Sequence, residues 1–379
     1  SPMGWSGVSG GEVRDDMIVL DTEAAEIVFT GIPSKPVPSL LRGFSAPVNL
    51  DTNLSQADQL FLARHDSDPF NRWQALQDVG MALAIDAIKD KAWTTDAAKA
   101  LGDAFADTLA SDALDDAYKA LALTLPGEAQ IARTLAQDVD PARVHWVRDA
   151  LLRAVFSPLA EPLRAAYDAL ASTLPYAPDA ASAGRRALRN RLLHLLTASG
   201  SEGGAALAAA QYHEARNMTD RLAALSASAN SWTAEAPTLM ADFRTRFGAN
   251  PLVLDKWLAV TASVPEDGVI DRMRTILADP EFPRTNPNRL RSLVGTFAMG
   301  NPTQFARLDG AGFRFVADFV ALVDGVNPQV AARVLTGFRV WPMLESTRRD
   351  AAKSALSALQ AKNSLSRNTA DILTRMLAS

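Results

Sequence analysis

A chain of 379 residues with 38 basic and 43 acidic side chains, net charge −5, exceeds the usual size of one domain and lacks the basic surplus of a phosphate-neutralising protein. Its 48% hydrophobic content excludes wholesale disorder. The absence of cysteine removes disulfides, thiolate catalysis, iron–sulfur clusters and cysteine zinc sites together.

No nucleic-acid partner is expected. No stretch approaches the roughly 20 apolar residues of a membrane span, so no membrane is expected either. A cysteine-free chain fits a reducing compartment, and a cytoplasmic location is expected. The opening run Ser1-Pro2-Met3-Gly4-Trp5-Ser6-Gly7 lacks the basic start and apolar core of a signal peptide. It reads as a loop, and residues 1–12 need not be native. The abrupt start is that of a fragment.

Short β-branched runs follow at Met17-Ile18-Val19-Leu20 and Glu26-Ile27-Val28-Phe29, with a third candidate at Ser45-Ala46-Pro47-Val48-Asn49-Leu50. Pro33, Pro36 and Pro38 keep the intervening chain extended. Three such strands cannot bury both faces, so residues 1–52 read as part of an incomplete β-sandwich.

Residues 53–379 read as helices with short punctuation. Val144, Val147, Leu151 and Val155 form one helical stripe; Leu188, Leu192 and Leu195 form another, and Ile270, Met273 and Ile276 a third. Asp140-Pro141, Ser157-Pro158, Asn301-Pro302 and Asn327-Pro328 each place a capping side chain before a proline at the first helical position. Gln304, three residues after Asn301, has the spacing of a capping box. Breaks such as Thr124-Leu125-Pro126-Gly127 and Ser199-Gly200-Ser201-Glu202-Gly203-Gly204 are short, which predicts antiparallel helices of about 10–15 residues stacked in series. Without a fixed period, the fold class is mainly α: an irregular α-solenoid of the HEAT or armadillo kind, preceded by a few strands.

The run His213-Glu214-Ala215-Arg216-Asn217 approaches a zinc-protease helix, His-Glu-x-x-His, but the second imidazole is replaced by an amide. His213 therefore reads as a polar group at a helix junction. His65, His145 and His194 are scattered and read as surface or packing residues. Gly200, Gly203 and Gly204 are not followed by the Lys-Ser/Thr of a phosphate loop, and no nucleophile elbow surrounds Ser199 or Ser201. Asp115-Asp116 reads as a solvated helix face. No catalytic and no metal-ligating residue is assigned.

One polar cluster remains. Asn286-Pro287-Asn288-Arg289-Leu290-Arg291 opens one predicted helix and Asn327-Pro328-Gln329 another, with Gln329 and Arg333 four apart on one face. An arginine near a helix N-terminus opposes the dipole, so a carboxylate is expected beside it. Spacing leaves two sources open: an interhelix salt bridge, which it favours, and the carboxylate of a bound peptide.

Several longer runs resemble the bacterial aminopeptidase N family. Lys35-Pro36-Val37-Pro38-Ser39-Leu40-Leu41-Arg42-Gly43-Phe44-Ser45-Ala46-Pro47-Val48 is similar to the end of its small β-sandwich domain. Phe70-Asn71-Arg72-Trp73, His213 through Asp220, Leu254-Asp255-Lys256-Trp257 and Asn286 through Gly295 are similar to later segments, in order, over about residues 17–379. The resemblance implies the C-terminal part of a zinc-dependent alanyl aminopeptidase of the gluzincin class. The zinc helix, its glutamate ligand and the amine-binding Gly-x-Met-Glu-Asn loop would lie in a catalytic domain outside this chain, so no cofactor is expected here and zinc is expected there. The implied partners are that domain and peptide substrates. The implied substrate-side residues are Gln329, bordering the first side-chain pocket, and Arg333 and Arg291, lining the cavity. This fragment alone would be inactive. A stand-alone α-solenoid protein-binding scaffold is the alternative, and an independent enzyme of unrecognised chemistry a remoter one.

Overall fold

In the computed structural model, which describes residues 4–14, 17–48, 50–90, 93–283, 285–362 and 365–378, strands give way to helices at Gln56. The N-terminal part is two antiparallel pairs. β1 (Gly4–Ser9) runs beside β4 (Glu26–Thr30), with a register irregularity between Trp5 and Gly7, and β2 (Glu12–Arg14) beside β3 (Met17–Val19). Residues 4–9 are thus strand, where sequence predicts a loop; Ser1, Pro2 and Met3 lie outside the described residues. Glycine and serine hide such a strand, because its pairing is made by backbone groups. The expected third strand at residues 45–50 is not formed. Pro47 has no N–H to donate, and Val48 N bonds back to Ala46 O at 3.0 Å; Asn49 lies outside the described residues.

The helices are α1 (Gln56–His65), α2 (Pro69–Ile88), α3 (Thr95–Ala110), α4 (Asp116–Ala122), α5 (Glu128–Leu135), α6 (Pro141–Phe156), α7 (Ala160–Ala169), α8 (Ala180–Ala198), α9 (Gly204–Glu214) and α10 (Met218–Asn230). There follow α11 (Ala236–Phe247), α12 (Pro251–Ser263), α13 (Val269–Ala278), α14 (Pro287–Leu290), α15 (Thr296–Gly300), α16 (Pro302–Phe305), α17 (Ala311–Asp324), α18 (Pro328–Leu335), α19 (Ser346–Gln360) and α20 (Arg367–Ala378). Their lengths scatter more widely than sequence predicts. No helix among the described residues is long and apolar enough to cross a membrane.

The predicted stripes face the core. Val144, Val147, Leu151 and Val155 are buried on α6, Leu188, Leu192 and Leu195 on α8, and Ile270 and Met273 on α13; Ile276 is half-buried against them. Asp140 caps α6 as expected, accepting from Ala142 N at 2.8 Å and Arg143 N at 3.2 Å, and Asn327 caps α18 through Val330 N at 3.2 Å. Two expected caps fail. Ser157 opens only a short 3-10 turn between α6 and α7, and its hydroxyl donates to Ser199 O at 2.9 Å. Asn301 places its amide in the core, donating to Ala262 O at 2.9 Å and Val264 O at 2.8 Å, so no capping box with Gln304 exists. Two buried carbonyls at the end of α12 need a donor more than α16 needs a cap.

The array also touches itself across long sequence distance. Val139 and Leu344 form an isolated parallel bridge, and Arg348 joins Asp140 at 3.0 Å, Glu345 at 3.1 Å and Ala306 O at 2.7 Å. With α16 against α6, the later helices curl back on the earlier ones. Such closure distinguishes this array from a solenoid with nearest-neighbour contacts alone.

Candidate functional site

The polar face around α18 rests on α12. Asn286 caps α14, accepting from Asn288 N at 2.9 Å and Arg289 N at 3.4 Å, and Pro287 fits the first helical position. Arg289 then turns inward and pairs with Asp255 of α12, almost entirely out of solvent. Beyond α14 the helix widens: residues 291–295 form a π turn, with Thr296 N reaching back to Arg291 O. Arg291 stays exposed, its Nη2 bonded to Asn288 Oδ1 at 2.6 Å and its Nε to Pro287 O at 3.2 Å. The guanidinium is thereby held on its own helix.

α18 packs against this π turn. Val330, Ala331, Val334 and Leu335 are its buried side, and Gln329 and Arg333 share the exposed one. The structure corrects the electrostatic expectation. Because α18 ends at Leu335, Arg333 lies in its last turn, where a cation favours the dipole and no compensating carboxylate is required. No ion pair to Arg333 or Arg291 occurs among the described residues, so the predicted interhelix salt bridge is absent. Under this face lie Phe297, Phe305, Phe313 and Phe338, all buried and in edge or tilted contact at 5.0–6.3 Å. Gly337 brings the following 3-10 segment onto α15: a Cβ there would sit 2.8 Å from Ala298 Cβ.

The arrangement supplies fixed hydrogen-bond donors and no proton-transfer group. Such donors suit a carbonyl or carboxylate oxygen. His213 and Asn217 belong to different helices: His213 is exposed in the last turn of α9 against Tyr212, whereas Asn217 caps α10 through Asp220 N at 2.9 Å. No group of three or more metal-ligating side chains converges among the described residues. A cleft of about 350 Å³ between Lys35–Pro38 and Asp51–Leu54 lies at the junction with α1 and lacks such groups as well.

The remaining histidines have structural surroundings. His65 lies against Phe61 at 4.8 Å. His145 Nδ1 meets Glu128 Oε1 at 2.8 Å, and this hydrogen bond, opposed by burial, raises its pKa. His194 is the reverse case: burial first, then the Arg191 and Arg148 charges, lower its pKa from 6.5 to about 4. A depressed folded-state pKa gives stability that is present above 6.5 and lost as pH falls toward 4, because the unfolded chain takes the proton first. His194→Gln removes that linkage. From about pH 7 to about pH 5 the melting temperature of the native chain is expected to fall further than that of His194→Gln, as calorimetry would show; equal falls would contradict a buried neutral imidazole.

The sequence runs that carry the family resemblance are mostly joints. Arg42 forks onto Asp66 at 2.6 Å and Ser67 at 2.7 Å, Gly43 N donates to Asp68 at 2.7 Å, and Asn71 reaches Ser39 and Leu40 O at 2.9 and 2.8 Å. Phe44 meets Phe70 edge-on at 5.1 Å, locking the N-terminal part to the α1–α2 corner. The Asp255 and Arg289 runs are joined by their ion pair. Neither that pair nor the π turn has a local sequence signature.

The family described as a domain of unknown function (DUF3458_C) with ARM repeats matches residues 56–378, and that of an Ig-like fold (DUF3458) matches residues 3–53. The chain is 35% identical over 381 residues to aminopeptidase N of Caulobacter vibrioides, covering 99% of this chain and 43% of the relative. It is 34% identical to aminopeptidase N of Escherichia coli, covering 95% and 42%. The crystal structure of Legionella pneumophila aminopeptidase A in complex with aspartic acid shares the fold, with a TM-score of 0.84 at 24% identity over 99% of this chain and 45% of that one. The chain thus spans less than half the length of these relatives. It belongs to the DUF3458_C ARM-repeat family, and it is homologous to the C-terminal region of aminopeptidase N.

Proposed function

We propose that this chain is the non-catalytic part of a cytoplasmic zinc-dependent aminopeptidase that removes N-terminal residues from peptides. Its helical domain walls the active-site cavity and presents Gln329, Arg333 and Arg291 to the substrate. The catalytic domain, with the zinc and the general base, is its partner. Homology supports the peptidase assignment, and one structural observation supports the wall: Arg333 is an exposed arginine without an ion-pair partner among the described residues, beside Gln329, on a helix whose other face is buried. Gln329 can donate or accept at a side-chain pocket, and Arg333 offers a fork to a carbonyl or carboxylate.

In the whole enzyme, Gln329→Ala and Arg333→Ala are each expected to lower kcat/KM by the equivalent of about 1–3 kcal/mol, far less than loss of a zinc ligand. Both side chains are exposed, so melting temperatures should hold. Steady-state kinetics on aminoacyl substrates and longer peptides is the measurement. Unchanged kcat/KM in both variants rejects the wall.

A further inference from the structure

A second group of cationic and titratable side chains gathers where the end of α4 and the connection after it meet α6 and α8. Arg191 and His194 stand three apart on α8 and share a face; Arg148 comes from α6. Arg191 Nε donates to Ala120 O in α4 at 3.2 Å and Arg148 Nε to Pro126 O in the following connection at 2.9 Å, so the two guanidiniums are pinned to carbonyls six residues apart in the chain. Their terminal nitrogens and the His194 ring have no hydrogen-bond or ion-pair partner among the described residues. All three side chains are half-buried, and their unpartnered nitrogens are not sealed from solvent.

The local charge is unbalanced. Burial and then Arg148 lower the Arg191 pKa, while burial, Arg191 and Arg148 depress His194. The neighbouring carboxylates are occupied: Glu128 by His145 at 2.8 Å, and Asp149 by His145 and Arg153, each at 3.7 Å. Half-buried cations without a carboxylate are costly unless an anion supplies the missing charge.

We infer that Arg148, Arg191 and His194 form a binding site for a phosphate-type oxyanion, free or carried as the monoester of a small molecule. The two guanidinium forks match its charge and oxygens, and the imidazole adds one donor or acceptor according to tautomer. If the arginines only tie down carbonyls, the site has no anion dependence.

The test is a proton NMR titration of the four histidines from neutral pH down through the acid range, with inorganic phosphate exchanged for chloride at fixed ionic strength, alongside thermal melting near neutral pH. The His194 pKa is expected to rise by about one unit, and the melting temperature should climb with phosphate concentration. Arg148→Gln should weaken apparent phosphate affinity about tenfold or more. Because an arginine variant also loses its tie to the connection, His194→Gln, which leaves both Nε–carbonyl bonds, serves as second variant and should weaken the melting response too. Methyl phosphate distinguishes the sources: a matching response extends the site to esters, and a response to inorganic phosphate alone confines it to the free ion. An unmoved His194 with a phosphate-independent melting temperature overturns the site. So does a melting response unchanged in both variants, which would place the anion elsewhere.

Discussion

Asp255→Ala is expected to destabilise the chain by about 3–5 kcal/mol, because it leaves the Arg289 charge buried without a counter-charge. Arg289 is 4% exposed, and its Nε is already buried without a partner, so the guanidinium has little water to turn to. The pair also holds α14 to α12, upstream of the π turn that presents Arg291. Denaturant unfolding of Asp255→Ala should therefore show a markedly lower midpoint than that of Lys256→Ala, whose exposed neighbouring side chain should matter by no more than about 0.5 kcal/mol. Similar midpoints would mean that the pair is solvated. In the proposed whole enzyme, a further loss of kcat/KM at temperatures where Asp255→Ala remains folded would tie the pair to the proposed peptide-facing wall.

Phe305→Ala should cost a comparable amount, about 3–5 kcal/mol, by a different route. The ring is 2% exposed and makes edge contacts with Phe313 at 5.0 Å, Phe338 at 5.1 Å and Phe297 at 6.3 Å, so truncation removes its transfer energy, opens a cavity and breaks three aromatic contacts. Relaxation is restricted because α17 already touches the backbone beside it: a Cβ on Gly312 would lie 2.3 Å from both Gln304 O and Phe305 O. Phe305→Leu, which fills most of the space, should cost distinctly less. Leu322→Ala, on the exposed side of α17, should change stability little. Calorimetric melting of the three variants gives the order; a Phe305→Ala chain as stable as Leu322→Ala would show that the aromatic cluster does not bear on folding.

The sequence alone determines the features whose physics is local. Hydrophobic spacing places Val144, Val147, Leu151 and Val155 on the inner face of α6, and the Asp140, Asn286 and Asn327 caps fix helix starts because side chain and orphan N–H groups lie within three residues of each other. The exposed pair Gln329 and Arg333 follows from the same periodicity. Tertiary structure decides wherever a distant group competes. Asn301 abandons its cap for two carbonyls at the end of α12, and residues 4–9 become strand because residues 26–30 pair with their backbone. Arg333 changes from dipole-opposed to dipole-favoured because α18 stops at Leu335. The Arg289–Asp255 pair and the Val139–Leu344 bridge join segments far apart in sequence, and loop closure of that kind leaves no periodic trace in the chain.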